Sequence, residues 1–319
     1  MEKCQVVKTP VIPENVEILE DKSAGGRVRP WALYKMQNCY ISKAYENISA
    51  KKSERLKNCA SLLVFSPTES GKKKLKAANF CRVRLCPVCQ WRRSMKNFGQ
   101  IQQILAAIEG QYEYIFLTLT LKNCTGEELS TELNHILGAF NKLSKYKRFQ
   151  DSIHGWYRGL EVVHNTETNE YHPHIHLMLA VKKHYFTTHY YIKQAEWTEM
   201  WKKALGVDYT PIVDIRRVKG HTARAIAEVA KYSCKPSEIL YFEDWKLTED
   251  CVRVLDSALA NRRLVAYGGI LKEMHKKLNL DDVDEGDLTD IGEGDGEKTT
   301  DEDLIFVWHT GYAQYVREQ

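Results

Sequence analysis

The sequence predicts an α+β fold, a central antiparallel sheet with helices on its faces, together with an N-terminal cysteine module. Three observations carry this. The run YIFLTLTLK at 114–122 is apolar with alternating threonines and reads as a central strand. Two more strand-like runs, GWYRGLEVVHN at 155–165 and HPHIHLMLAV at 172–181, flank the polar turn TETNE and form a β-hairpin. Apolar residues at helical spacing stand between them at Leu129, Leu133, Ile136, Leu137, Phe140 and Leu143. Hairpin-linked strands mixed with helices point to α+β.

Residues 1–55 are polar, punctuated by Pro10, Pro13 and Gly25-Gly26, and read as a loosely held arm with a helical stretch from about Gln37 to Lys57. Residues 56–110 form a cysteine-rich module and a helix. That helix is marked by Met95, Phe98, Ile101, Ile104 and Leu105 and closed by Gly110. Residues 111–280 hold the sheet, with further helices near 127–147, 190–204, 222–233 and 248–260 and a strand at 213–218. Residues 281–303 have the low hydrophobicity and high charge of a disordered loop. A calcium-loop reading of Asp282 and Asp284 fails, because Gly286 occupies a ligand position and the terminal Glu is missing. Residues 304–319 are aromatic enough to dock back on the body as a strand.

The chain has 319 residues and a net charge of +4, but the charge is unevenly spread. The stretch 281–303 holds twelve acids and one base, leaving 45 basic and 30 acidic residues elsewhere, a net +15. So basic a body suits a polyanionic partner. No apolar run spans a membrane and the first residues have no apolar signal core, so the cytoplasm is the expected address. The nine cysteines are odd in number and clustered, which favours a metal site over disulfides.

Successive strand side chains point to opposite faces, so His174 and His176 share one face. Two imidazoles so placed can hold one divalent ion with a hard oxygen ligand, and Glu161 on the preceding strand is the candidate. Whether Glu161 faces the same side depends on the register. Ligand-free exposed histidines are the plain alternative. His172 is a rival ligand, set at the strand's edge by Pro173.

In a helix at AIAEVAKYSCKPSE, Glu228 and Tyr232 sit four residues apart on one face, and Pro236 ends the element. A tyrosine phenol can attack a phosphodiester if its charge is neutralised, and Lys235 could help. Glu228 could act as general base on a water. Alone the motif is weak, since the chain has seventeen tyrosines.

Cys59, Cys81, Cys86 and Cys89 make C-x21-C-x4-C-x2-C, which suits a closed, structural tetrahedral zinc site. A redox Cys-x-x-Cys competes, though no βαβ pattern surrounds it, and unligated cysteines are the third reading. Arg82, Arg84, Arg92 and Arg93 flank the cluster as candidate phosphate contacts, as do Arg216 and Arg217 on the 213–218 strand.

The ordered set FLTLT (116–120), Glu161 with HPHIHLML (172–179) and EVAKYSCK (228–235) resembles the three motifs of the HUH endonucleases. It is most similar to the Rep initiators of small rolling-circle plasmids from Gram-positive bacteria. FCRVRLCPVCQWRRS (80–94) resembles that family's cysteine-containing signature, and FVWHTGYAQYV (306–316) resembles its C-terminal end. The resemblance implies an HUH fold and a catalytic Mn²⁺ or Mg²⁺ on His174, His176 and Glu161. It further implies Tyr232 as the nucleophile and Glu228 as the second catalytic group; the Zn²⁺ read from the cysteine spacing is a separate, structural ion. The implied partners are single-stranded or cruciform plasmid origin DNA, a host helicase and a second copy of the chain in a dimer. A transposase or conjugative relaxase would share this chemistry; the cysteine module argues against both. A non-catalytic zinc-dependent DNA-binding regulator would leave the histidine strand without a purpose.

Overall fold

The computed structural model describes residues 12–23, 25–218, 226–227, 230, 234–292 and 298–318. The chain divides into two compact units, residues 1–92 with 288–319 and residues 93–287. Each carries one five-stranded sheet, and every pairing within both is antiparallel.

In the first unit, helices α1 (Trp31–Ala44) and α2 (Ala50–Asn58) accompany strands β1 (Val16–Ile18), β2 (Leu62–Pro67) and β3 (Lys73–Ala78). The residues expected as a loose arm are therefore largely built into the fold. Trp31 is the reason: its ring packs edge-on to Trp91 and Phe65, and its Nε1 donates to Asp21 at 2.7 Å. The single helix expected over 37–57 is two helices, parted by a turn in which Tyr45 is buried and Ser49 caps α2. The lysine-rich strand β3 carried no sequence signal of a strand.

The C-terminal residues form a hairpin, β9 (Leu304–His309) and β10 (Gln314–Glu318). The sheet order is β1-β10-β9-β2-β3, so β9 is the central strand of the sheet and β10 lies beside it. Phe65, Phe306, Leu304 and Tyr315 line its buried face. Leu288 and Ile291, in the acidic stretch, are buried as well.

The second unit contains most of α3 (Pro87–Ala107), then β4 (Tyr112–Thr120), α4 (Leu129–Leu143), α5 (Lys147–Ser152), β5 (Gly155–Asn165) and β6 (Glu170–Lys182). There follow α6 (Gln194–Leu205), β7 (Val213–Arg217), α7 (Trp245–Ala258), β8 (Val265–Gly268) and α8 (Gly269–Lys277). The α+β expectation holds, and the hairpin bounds match the sequence reading closely. The order β7-β4-β6-β5-β8 makes β6 the central strand.

One face of this sheet, with Ile175, Leu177, Leu117 and Leu160, is buried with α4 and α6 residues such as Ile136, Phe140 and Trp201. On the other face Phe116, Tyr157 and Met178 pack with Ile101, Ile104 and Leu105 of α3 and with Ile226, Ala230 and Leu271. The disordered loop was expected over 281–303; at its start, Asp281 Oδ2 accepts from Lys96 Nζ at 2.7 Å and Gln100 Nε2 donates to the Asp281 carbonyl at 2.8 Å. Charge complementarity to α3 orders a segment whose own composition would not. Among the described residues no helix is long and apolar enough to cross a membrane.

Candidate metal centres

The β5–β6 ladder sets Glu161 opposite His174 and Gly159 opposite His176, while β4 sets Thr118 opposite His176 and Thr120 opposite His174. Side chains opposed across a ladder share a face. The register left open by the sequence thus places Glu161 with the two histidines. Its Oε2 accepts from His176 Nε2 at 2.9 Å and from His174 Nε2 at 3.3 Å. The glycine opposite His176 leaves that neighbouring position without a side chain.

All three groups are shielded from solvent, Glu161 to 4% exposure. Burial works against a charged Glu161, but hydrogen bonds from both histidines outweigh it and hold the carboxyl well below the usual range. Lys235 Nζ lies 3.4 Å from Glu161 Oε1 and 2.6 Å from Glu238 Oε1. Burial works against its charge as well; the bond to Glu238 and the charge of Glu161 prevail and raise its pKa.

The outer partners orient the rings. His174 Nδ1 faces the His172 carbonyl at 3.3 Å, an acceptor only, so Nδ1 keeps its hydrogen when the ring is neutral, and Nε2, once it gives up the hydrogen it shares with Glu161, is the nitrogen left to bind an ion. His176 Nδ1 lies 3.1 Å from the Thr118 hydroxyl. Thr118 was missed from sequence as a site residue; its strand alternation in FLTLT was the available signal. His172 shares the face but turns its Nδ1 to Asn123 Oδ1 at 3.0 Å. Glu161, His174 and His176 each offer one ligand atom within 4.8 Å of the others, and two imidazoles with a carboxylate are a donor set that could hold a divalent ion.

The second cluster lies in the other unit. Cys59 comes from the end of α2, Cys81 from the chain after β3, and Cys86 and Cys89 from the start of α3. Sulfur–sulfur separations are 3.5 Å for Cys59–Cys86, 3.6 Å for Cys59–Cys89 and 3.8 Å for Cys81–Cys89. Four thiolates about 2.3 Å from one zinc would stand about 3.8 Å apart along the tetrahedron's edges. All four are buried and together could hold a metal ion. The thiols of Cys59 and Cys86 are pushed well up, the first mainly by its hydrogen bond with Cys81 and the second by burial. Without a cation these two would stay protonated.

The arginines separate. Arg92, expected to reach phosphate, is 2% exposed, donates to the carbonyls of Leu288 and Thr289 at 2.8 Å, and lies over the Trp31 and Trp91 rings. It is a core cation, and that expectation is corrected. Arg93 is mostly buried, with its Nε 3.6 Å from Asp284. Arg82 is exposed and Arg84 half-buried. Arg216 is exposed beside Asp214, and Arg217 bonds Glu113 and lies over the Phe186 ring. Glu228 and Tyr232 lie outside the described residues; of their neighbours, the Ala230 carbonyl accepts from Ser94 Oγ at 2.7 Å.

Residues 72–316 match the family model described as "Replication protein". A "Protein rep" from Bacillus amyloliquefaciens is 42% identical over 331 residues, covering 94% of this chain and 97% of the relative. One from a Bacillus species is 46% identical over 76% of this chain and 85% of its own, and one from Lactiplantibacillus plantarum is 36% identical over 94% and 98%. No solved structure matches the chain.

Proposed function

The chain belongs to the replication protein family, and from that premise we propose that it is a rolling-circle initiator of a small plasmid, an HUH-type nickase acting at one site on one strand of the origin. The observation that carries this reading is the convergence of Glu161, His174 and His176 on one sheet face beside Lys235. A divalent ion held there, Mn²⁺ or Mg²⁺, supplies positive charge beside a scissile phosphate.

The chain's own residues do the rest. Glu161 and the two imidazoles hold the ion, with Thr118 and the His172 carbonyl fixing the rings. Lys235, kept charged by its two glutamates, neutralises a phosphate oxygen. The Tyr232 phenolic oxygen attacks phosphorus, and the bond to the 3′ oxygen breaks. A 5′-phosphotyrosine remains on the protein, and the proton given up by the phenol is matched, through solvent, by the one that the 3′ oxygen takes to become the primer hydroxyl. Glu228 later accepts a proton from the water that hydrolyses a phosphotyrosine at termination. Support for this placement comes from the described residues that bracket the segment: Ala230 packs on the same sheet face as Met178, and Lys235 reaches Glu161.

Cys59, Cys81, Cys86 and Cys89 hold Zn²⁺ in a structural site, and Arg82 and Arg84 beside it, with Arg216 and Arg217 on β7, contact the DNA backbone. The substrate is single-stranded or cruciform origin DNA; a host helicase and a second copy of the chain complete the replication complex. The test is a single-stranded origin oligonucleotide incubated with Mn²⁺. Wild type forms a covalent protein–DNA adduct that chelator suppresses, and Tyr232→Phe forms none. Adducts that persist in Tyr232→Phe overturn the nucleophile.

A further inference from the structure

A lysine ammonium is costly to bury unless negative charge accompanies it. Lys35, on α1, is 1% exposed. Its Nζ donates to the carbonyl of Lys57 at 2.8 Å and to the carbonyl of the ligand residue Cys59 at 2.6 Å. Carbonyls satisfy its hydrogens but carry no net charge. Among the described residues no carboxylate pairs with it.

The sulfurs point the same way. Each accepts one backbone N–H: Cys59 from Cys81, Cys81 from Val83, Cys86 from Cys89, and Cys89 from Arg82, all at 3.3–3.4 Å. Oriented amide donors are what a thiolate requires and a thiol does not. A dication with four thiolates carries two net negative charges, and Lys35 is a buried cation bonded to the backbone of one of the four ligand residues.

Resting on the reading of the four cysteines as a zinc site, we propose that Lys35 is a positioning residue of that site, the buried counter-charge that raises its affinity for Zn²⁺. An ordinary packing lysine would hold α1 against residues 57–59 whether or not zinc is bound; a counter-charge matters only when the four sulfurs are ionised.

The experiment uses the full-length protein, with zinc content by elemental analysis, zinc affinity by chelator competition, and thermal midpoints with and without zinc. Lys35→Gln is one atom shorter and keeps an N–H donor for the carbonyls without the charge, and Lys35→Arg keeps the charge. Lys35→Gln is expected to hold zinc about 10–100-fold more weakly, the size of an outer-partner effect, with no loss of midpoint in the zinc-stripped protein. Lys35→Arg should stay within about threefold of wild type on that same scale. A Gln variant with wild-type zinc affinity, or an Arg variant weakened as much as Gln, overturns the proposal. Wild type that binds no stoichiometric zinc overturns the zinc site itself, and the elemental analysis tells the two failures apart.

Discussion

Glu161 stands opposite His174 in the β5–β6 ladder, yet its shorter contact, 2.9 Å, is with His176 one pleat further along. The carboxylate leans between the two rings and bridges their Nε2 atoms. It does so because Gly159, opposite His176, has no side chain to occupy that place. Glu161→Gln keeps this shape and removes the charge. Mn²⁺ affinity measured by calorimetry should fall by more than the roughly 100-fold typical of an outer partner. Unchanged Mn²⁺ binding would exclude Glu161 as a ligand.

Thr118 is the side-chain partner of His176 Nδ1. Thr118→Val preserves the strand and its volume but leaves that nitrogen unpaired. The expected result is Mn²⁺ binding weakened by roughly 10–100-fold, restored by Thr118→Ser. If Ser and Val behave alike, the hydroxyl has no part in orienting the ring.

Glu228→Ala should spare the first nicking step and slow release of the covalent adduct, since the base is needed only when water attacks. Adduct formation and adduct turnover are followed separately on the same oligonucleotide. Equal loss of both would count against a distinct role in termination.

Cys86→Ser should abolish stoichiometric zinc and lower the thermal midpoint, because Cys86 is fully buried among the other three sulfurs. Mn²⁺ affinity at the histidine site should be untouched, as its ligands belong to the other unit. A Cys86→Ser protein with full zinc content would contradict the four-cysteine set.

Gly269 joins β8 to α8 with φ +55°, and a Cβ there would lie 2.2 Å from the His154 carbonyl oxygen. Gly269→Ala should therefore destabilise the protein by about 1–3 kcal/mol from crowding, with left-handed strain of about 1 kcal/mol added. Urea denaturation reads this as a lower midpoint at unchanged slope. A stability equal to wild type would mean that β8 shifts freely.

Much of the site is legible in the sequence. Strand alternation alone puts His174 and His176 on one face, and the polar turn at 166–170 brings Glu161 level with them. The Cys-x-x-Cys pair at 86 and 89 likewise announces a metal knuckle through local spacing. These are short-range facts, set by the period of a strand or one helical turn.

The remaining features depend on contacts between distant segments. Ladder register, not proximity along the chain, decides that Glu161 faces the histidines, since a one-residue slip would turn it to the opposite face. Placing β4 beside β6 brings Thr118 to His176 across 58 residues. Arg92 and Arg82 look alike in the sequence, but Arg92 turns inward between Trp31 and Trp91 while Arg82 is exposed. Lys35 reads as a surface lysine until α1 packs it against Cys59. The sequence by itself determined which chemical groups are present and the local period on which they lie. Tertiary structure decided which of them meet, because a buried partner is chosen by packing and charge across segments far apart in the chain.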